Sequence, residues 1–197
     1  MSKKKSQQLI NFAINYPYLA ITILVLLIAY QQVSSPNWLI GSSAEISHVN
    51  VCFTPSTTSC SNLITQQINA ANLLVFVQAY SFTSQPIAKA LINAFNRKVE
   101  VAIILDKTSL HNKEETVLIQ QLQQAGIPIY IDKIKGLAHN KIIIIDDRKV
   151  LTGSYNFTKG AEHRNAENIV LINDPLINRA YHNNWLKRKE HSMKVID

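Results

Sequence analysis

Two cysteines, Cys52 and Cys60, are all that the 197 residues contain, and no metal-binding pattern surrounds them. They flank a turn-rich loop, Phe53-Thr54-Pro55-Ser56-Thr57-Thr58-Ser59. In an exported domain they would form a disulfide closing that loop; in a cytosolic one they would be two buried thiols. Glycine is also scarce, at five residues, and with 47% hydrophobic residues the composition excludes a disordered chain. Acidic side chains number 13 against 20 lysines and arginines. The net charge of +7 excludes an acidic surface and suits either a polyanionic partner or an ordinary solvated basic face. Three of those lysines, however, are residues 3 to 5.

The chain also lacks a full-length apolar run. A charge-free stretch extends from Ser6 to Ala44, but its apolar centre, Tyr18 to Tyr30, would span only about 20 Å as a helix against a hydrocarbon core of about 30 Å. Phe12, Ala13, Ile14 and Val33 lengthen it, and Tyr16, Tyr18, Tyr30 and Trp38 suit the two interfaces. A signal-cleavage site is hard to place: Val33-Ser34-Ser35 would leave Pro36 first, and Ser42-Ser43-Ala44 lies far from the run. Residues 1–45 therefore read as an N-terminal hydrophobic helix with a linker, a membrane anchor in preference to a removed signal peptide. The lysines stay in the cytoplasm and the remaining domain, 46–197, lies outside it, periplasmic if anchored and secreted if the segment is cleaved.

What is present from residue 46 onward alternates between periods of 2 and 3.6. Strands are predicted over 46–53, 73–80, 99–105, 129–132 and 168–172, with two more around 141–145 and 149–152; helices are predicted over 61–71, 86–96, 113–125 and 175–188. Gly126 suits the residue after a helix end, with Pro128 beyond it. Such alternation predicts an α/β fold with a mixed, largely parallel sheet flanked by helices on both faces.

The stretch that bears chemistry is His139-Asn140-Lys141-Ile142-Ile143-Ile144-Ile145-Asp146. Four isoleucines between polar residues predict a central strand. Alternation puts His139 and Lys141 on one face and Asp146 on the other, so Asp146 reads as structural unless a bulge resets the register. An imidazole beside a fixed ammonium pairs a nucleophile or acid/base with an anion holder, as a phosphate substrate requires. Gly153-Ser154-Tyr155-Asn156-Phe157 follows, where a hydroxyl and an amide at a spacing of two can donate to phosphate oxygens. Glu167 can accept from the second ring nitrogen of His139, and Ser154 can bond either Glu167 or the phosphate. A second H-x-K, His111-Asn112-Lys113, has Leu118 where an aspartate belongs and opens a helix-like segment, so it reads as a decoy.

These residues resemble the H-x-K-x4-D and G-S-x-N motifs and the trailing acid of the phospholipase D superfamily. Phe53-Thr54-Pro55, Gln78-Ala79-Tyr80-Ser81-Phe82-Thr83, Ile104-Leu105-Asp106-Lys107 and Arg164-Asn165-Ala166-Glu167-Asn168 extend the likeness to small single-motif bacterial endonucleases of the Nuc type, over about residues 46–186. One departure is Lys98, where a glycine is usual before the third strand; a left-handed conformation there would cost about 1 kcal/mol.

The resemblance implies a phosphodiesterase acting through a covalent phosphohistidine, with no cofactor and no metal. It implies His139, Lys141, Ser154, Asn156, Glu167 and Asp146 as the catalytic set, and a homodimer that shares one active site, since the chain holds one motif. Lys133, Lys135 and Lys159 are candidates for contacts to a nucleic-acid backbone. Tyr80, Phe82 and Tyr155 would stack bases if exposed and fill the core otherwise. His163, His182 and His191 lack partners at metal-ligand spacing. Three readings stand: an endonuclease on DNA or RNA at or beyond the membrane, a phospholipase D or phosphatidyl transferase on lipid head groups, and a non-catalytic nucleic-acid-binding module.

Overall fold

In the computed structural model, the described residues are 48–195 and, nearer the amino terminus, 11, 16–19, 21–23 and 25–26. The chain divides into two units, Met1–Ile46 and Ser47–Asp197. In the first, the described residues except Tyr16 are helical and all are exposed. The lysine cluster and most of the expected hydrophobic helix lie outside the described residues, and no helix among those described is long and apolar enough to cross a membrane.

The second unit is one eight-stranded sheet between helices. The strands are β1 (His48–Thr54), β2 (Leu74–Ala79), β3 (Glu100–Leu105), β4 (Ile129–Asp132), β5 (Lys141–Ile145), β6 (Lys149–Gly153), β7 (Glu167–Asn173) and β8 (Ser192–Lys194), and the helices are α1 (Cys60–Asn69), α2 (Gln85–Asn96), α3 (Lys113–Gln124), α4 (Lys159–His163) and α5 (Pro175–Glu190). The spatial order is β1-β7-β6-β5-β2-β3-β4-β8.

The sheet is mixed, as expected, but mostly antiparallel rather than largely parallel: only β2–β3 and β3–β4 run parallel. The βα alternation sets the first half correctly and then stops. Three residues, 146–148, separate β5 from β6, and a parallel return needs a crossover of roughly a dozen, so this connection has to be a hairpin. A 3₁₀ turn at Lys107–His111, the short α4 and the edge strand β8 had no periodic signal long enough to predict them. The decoy histidine closes that 3₁₀ turn, and Asn112 caps α3 by accepting from the Glu114 and Glu115 amides.

Period-2 alternation sorts the strands onto two cores. Val75, Val77, Val101, Ile103, Ile143, Ile145 and Leu151 face α1, α2 and α3. Phe76, Ala102, Ile104, Ile142, Ile144 and Val150 face the other way and meet Trp185 of α5, whose ring stacks on Phe76 at 4.2 Å. Two polar side chains fix α5 to the sheet: the Trp185 indole N–H donates to the Val77 carbonyl at 3.0 Å, and the buried Asn178 amide donates to the Lys149 carbonyl at 2.9 Å. Cys52 and Cys60 are joined in a disulfide that ties β1 to the start of α1. Lys98 does adopt a left-handed conformation, at φ 73°, just past the end of α2.

Candidate active site

The topology turns the start of β5, the end of β6, the start of β7 and the ends of β1, β2 and β3 toward one end of the sheet. Lys141 opens β5 opposite Ala79, and the amide of the next residue, Tyr80, donates to the Asn140 carbonyl at 2.9 Å. His139 lies two residues before the strand and is exposed, whereas Lys141 is buried. The Lys141 ammonium donates to the His139 carbonyl at 3.0 Å and lies 3.3 and 3.4 Å from its two ring nitrogens. The Tyr80 ring packs on the imidazole at 4.5 Å between centroids, and the ammonium sits 5.2 Å from the centre of that same ring. Burial lowers the Lys141 pKa, and the Glu167 carboxylate acts in the opposite direction.

Gly153 ends β6 where the β7 backbone presses against it. A Cβ there would stand 2.3 Å from the Asn168 carbonyl oxygen, so the glycine of the motif serves close approach between strands. The Ser154 and Tyr155 amides then both donate to that carbonyl at 3.1 Å, which sets the loop. Ser154 donates to Glu167 Oε2 at 2.6 Å and accepts from the Asn168 amide. The second Glu167 oxygen accepts from the Asn165 side chain at 3.0 Å. The expected bond from His139 to Glu167 is absent among the described residues; the carboxylate oxygens accept from Ser154, just after β6, and Asn165, just before β7. Asn156 is half-buried, and its Oδ1 is buried with no hydrogen-bond partner among the described residues. An orphan of this kind costs about 1–3 kcal/mol and collects at functional sites.

Asp146, counted above with the catalytic set, stands at the far end of β5, about 15 Å of strand from Lys141. It adopts a left-handed conformation at φ 51°, and its carboxylate accepts from the amides of Leu73 at 2.8 Å and of Asn72 and Leu74 at 3.2 Å. That clamp orders the entry to β2. Its role there is structural, and the length of the strand, more than the face on which it lies, keeps the aspartate from Lys141.

A second aspartate matters more to the site. Asp106 follows β3 and is fully buried; it accepts from the Thr108 amide and hydroxyl, and through Oδ2 from the Ala138 amide at 2.6 Å. Burial acts to raise its pKa, but those donors and the Lys107 ammonium outweigh burial and leave it lowered. Lys107 donates to the carbonyls of Ile134 and Lys135 at 3.2 and 2.9 Å. Together they pin the loop that delivers His139, a role that could not be assigned from the sequence even though both residues lie in one of the matching blocks. Lys133, Lys135 and Lys159 are exposed, the first two on that loop and the third at the start of α4. Of the candidate stacking rings, Phe82 and Tyr155 belong to the core, and Tyr80 alone reaches the site. Burial, followed by the hydrogen bond to Glu162, pushes the Tyr155 hydroxyl pKa up, so it acts as a neutral donor to that carboxylate at 2.7 Å.

Residues 64–188 match the family model described as "Cardiolipin synthase, PLD-like domain". The chain belongs to the phospholipase D superfamily. Among relatives of this phospholipase D-like chain, a protein named phospholipase D from Rickettsia prowazekii (strain Madrid E) is 45% identical over 159 residues, covering 81% of this chain and 76% of the relative. A mitochondrial cardiolipin hydrolase from Xenopus laevis is 32% identical over 130 residues, covering 66% and 61%. Among solved structures, the phospholipase D family member Nuc from Salmonella typhimurium superimposes with a TM-score of 0.73 at 32% identity, over 77% of this chain and 99% of that one. NucT from Helicobacter pylori shares the fold, with a TM-score of 0.70 at 24% identity over 76% and 99%.

Proposed function

We propose that this chain is an endonuclease that hydrolyses nucleic-acid phosphodiester bonds with little sequence preference, through a covalent bond to His139. The observation that carries the reading is the pairing of an exposed imidazole with a buried ammonium 3.3 and 3.4 Å from its ring nitrogens. A neutral His139 attacks phosphorus, forming an N–P bond while the bond from phosphorus to the leaving oxygen breaks; a second imidazole, protonated, gives that oxygen its proton. Water then attacks phosphorus, giving its proton to the second imidazole, now neutral, as the N–P bond breaks and releases His139. Lys141 and the Asn156 amide bear the charge that gathers on the phosphoryl oxygens. Coverage of 99% of Nuc by a single-motif chain favours nucleic acid as the substrate.

The second imidazole in this proposal is the partner's His139. A two-fold dimer gives each copy the same patch of its mate. An apolar surface suited to that contact exists: Val49, Val51 and Phe53, 52, 57 and 61% exposed, line the outer strand β1, which ends beside Glu167. The disulfide supports a domain placed outside the cytoplasm, in the periplasm behind a membrane anchor or secreted.

The relatives named phospholipase D favour a second reading, hydrolysis of lipid head groups at the same histidine. Cleavage by the detergent-solubilised chain in excess EDTA tests both, with labelled single- and double-stranded DNA, RNA and phosphatidylcholine vesicles offered in parallel and His139→Ala as blank. Nucleic-acid cleavage that persists in chelator and vanishes in the variant supports the endonuclease. Lipid turnover alone moves the chain to the second reading, and a strict need for added metal sinks the histidine mechanism.

A further inference from the structure

The loop 153–158 has two sides. Asn156 carries an unpaired amide oxygen, while its neighbours Tyr155, Thr158 and Lys159 line a cavity of about 380 Å³ that has Thr83, Ser84 and Gln85 in its wall. That wall is the start of α2, a twelve-residue helix. Four other helices and the 3₁₀ turn have a side chain that accepts from a first-turn amide: Ser59, Asp106, Asn112, Thr158 and Asp174. Ser84, at the same position of α2, makes no such bond. It is 7% exposed, and its hydroxyl has no hydrogen-bond partner among the described residues. Its backbone is fully engaged, the amide donating to the Phe157 carbonyl at 2.9 Å and the carbonyl accepting from Ala88 at 3.0 Å. The amides of Gln85 and Ile87 have no acceptor among the described residues, and Pro86 between them has no N–H.

The open hydroxyl of a nearly buried serine, the free Gln85 amide at the positive end of a helix dipole and a lysine on the rim make up a donor set for an oxyanion. The one carboxylate in the cavity, Glu162, has one oxygen engaged: Oε2 accepts from the Tyr155 hydroxyl at 2.7 Å and the Ser61 amide at 3.0 Å, and the cavity's His163 offsets its charge. Its pKa is lowered although burial acts to raise it, because those donors, Ser59 and the nearby His163 outweigh burial.

We infer that this cavity is a second phosphate subsite, which holds a neighbouring phosphodiester of the substrate strand while the scissile one sits at His139. The inference rests on the endonuclease reading for its strand and on the Ser84 environment for its chemistry. A subsite one loop away from the reacting phosphate gives affinity for a chain over a single phosphodiester, without reading bases.

The test follows the backbone amide resonances of Gln85 and Ile87 in the full-length His139→Ala chain during titration with inorganic phosphate, with a short thymidine oligonucleotide and with phosphatidylglycerol micelles. The Gln85 amide, which lines the cavity, is expected to shift with phosphate and at lower concentration with the oligonucleotide, and the Ile87 amide, behind it in the first turn, to shift less. Ser84→Ala should weaken the effect about tenfold. Lys159→Gln, at an exposed position, should weaken it less and flatten its salt dependence. Shifts confined to residues around His139, or none, would overturn the subsite even if the wild type cuts nucleic acid. A response to micelles but not to the oligonucleotide would overturn the strand assignment. A subsite that responds in a chain that cuts no nucleic acid would instead retire the endonuclease reading.

Discussion

The two ends of β5 make an instructive pair. One motif spans the strand, yet at its start Lys141 is a buried ammonium without a hydrogen-bonded carboxylate, beside an exposed imidazole. At its end the Asp146 carboxylate accepts from three consecutive backbone amides and finishes a turn. The first end tolerates unfavourable polar burial and the second removes it. Polar residues that cost stability where they stand point to chemistry, and those that satisfy their neighbours point to architecture.

Substitutions can sharpen that contrast. The largest effect is expected from Lys141→Met: turnover should fall at least about a thousandfold, while the melting temperature holds or rises, because an ammonium whose pKa is lowered by burial destabilises the folded state at neutral pH. The sign also sets a pH signature. In the wild type the cost is present while the lysine is charged in both states, and stability recovers as pH rises from the lowered folded pKa toward 10.5; alkaline melting curves of the variant should lack that gain. A clear loss of stability in Lys141→Met would break the comparison.

Asp146→Ala should do the reverse. Removing three hydrogen bonds to a charged acceptor should cost about 1.5–3 kcal/mol in denaturant melts, with activity per folded molecule kept within about threefold. A severe loss of turnover at unchanged stability would return the aspartate to the catalytic set.

Gly153→Ala lies between the two classes, since its Cβ would collide with the Asn168 backbone that also positions Ser154 and Tyr155. About 1–3 kcal/mol of stability and about tenfold in activity should be lost together, read by melting and initial rates on the same sample. The smallest effect belongs to a position far from both ends: Lys98→Gly relieves a left-handed backbone and should raise the melting temperature by about 1–3 °C with no change in rate.

Much of this is legible in the sequence. The five strands read from alternation fall within one or two residues of those found, and the isoleucine run is the central β5. Asp146 is set apart from His139 and Lys141 by the length of β5, at whose far end it stands. The direction of the sheet was misjudged because the βα rhythm of the first half was carried past β4, where the brevity of 146–148 already required a hairpin. Of the two partners open to Ser154, Glu167 or a phosphate, the structure contains Glu167, which Asn165 also holds, and no bond from His139 to Glu167 is present among the described residues.

By itself the sequence determined the strands, the site histidine and lysine, and the loop glycine, because these depend on side-chain period and on residue chemistry along one segment. Only the tertiary structure decided that Asp106 secures the His139 loop across 32 residues, that Phe82 and Tyr155 are core while Tyr80 meets the imidazole, and that the Ser84 hydroxyl is left open in a cavity between α2 and the 153–158 loop. Those facts concern which polar groups find partners once distant segments meet, and hydrogen-bond satisfaction is a property of the assembled fold rather than of any stretch of it.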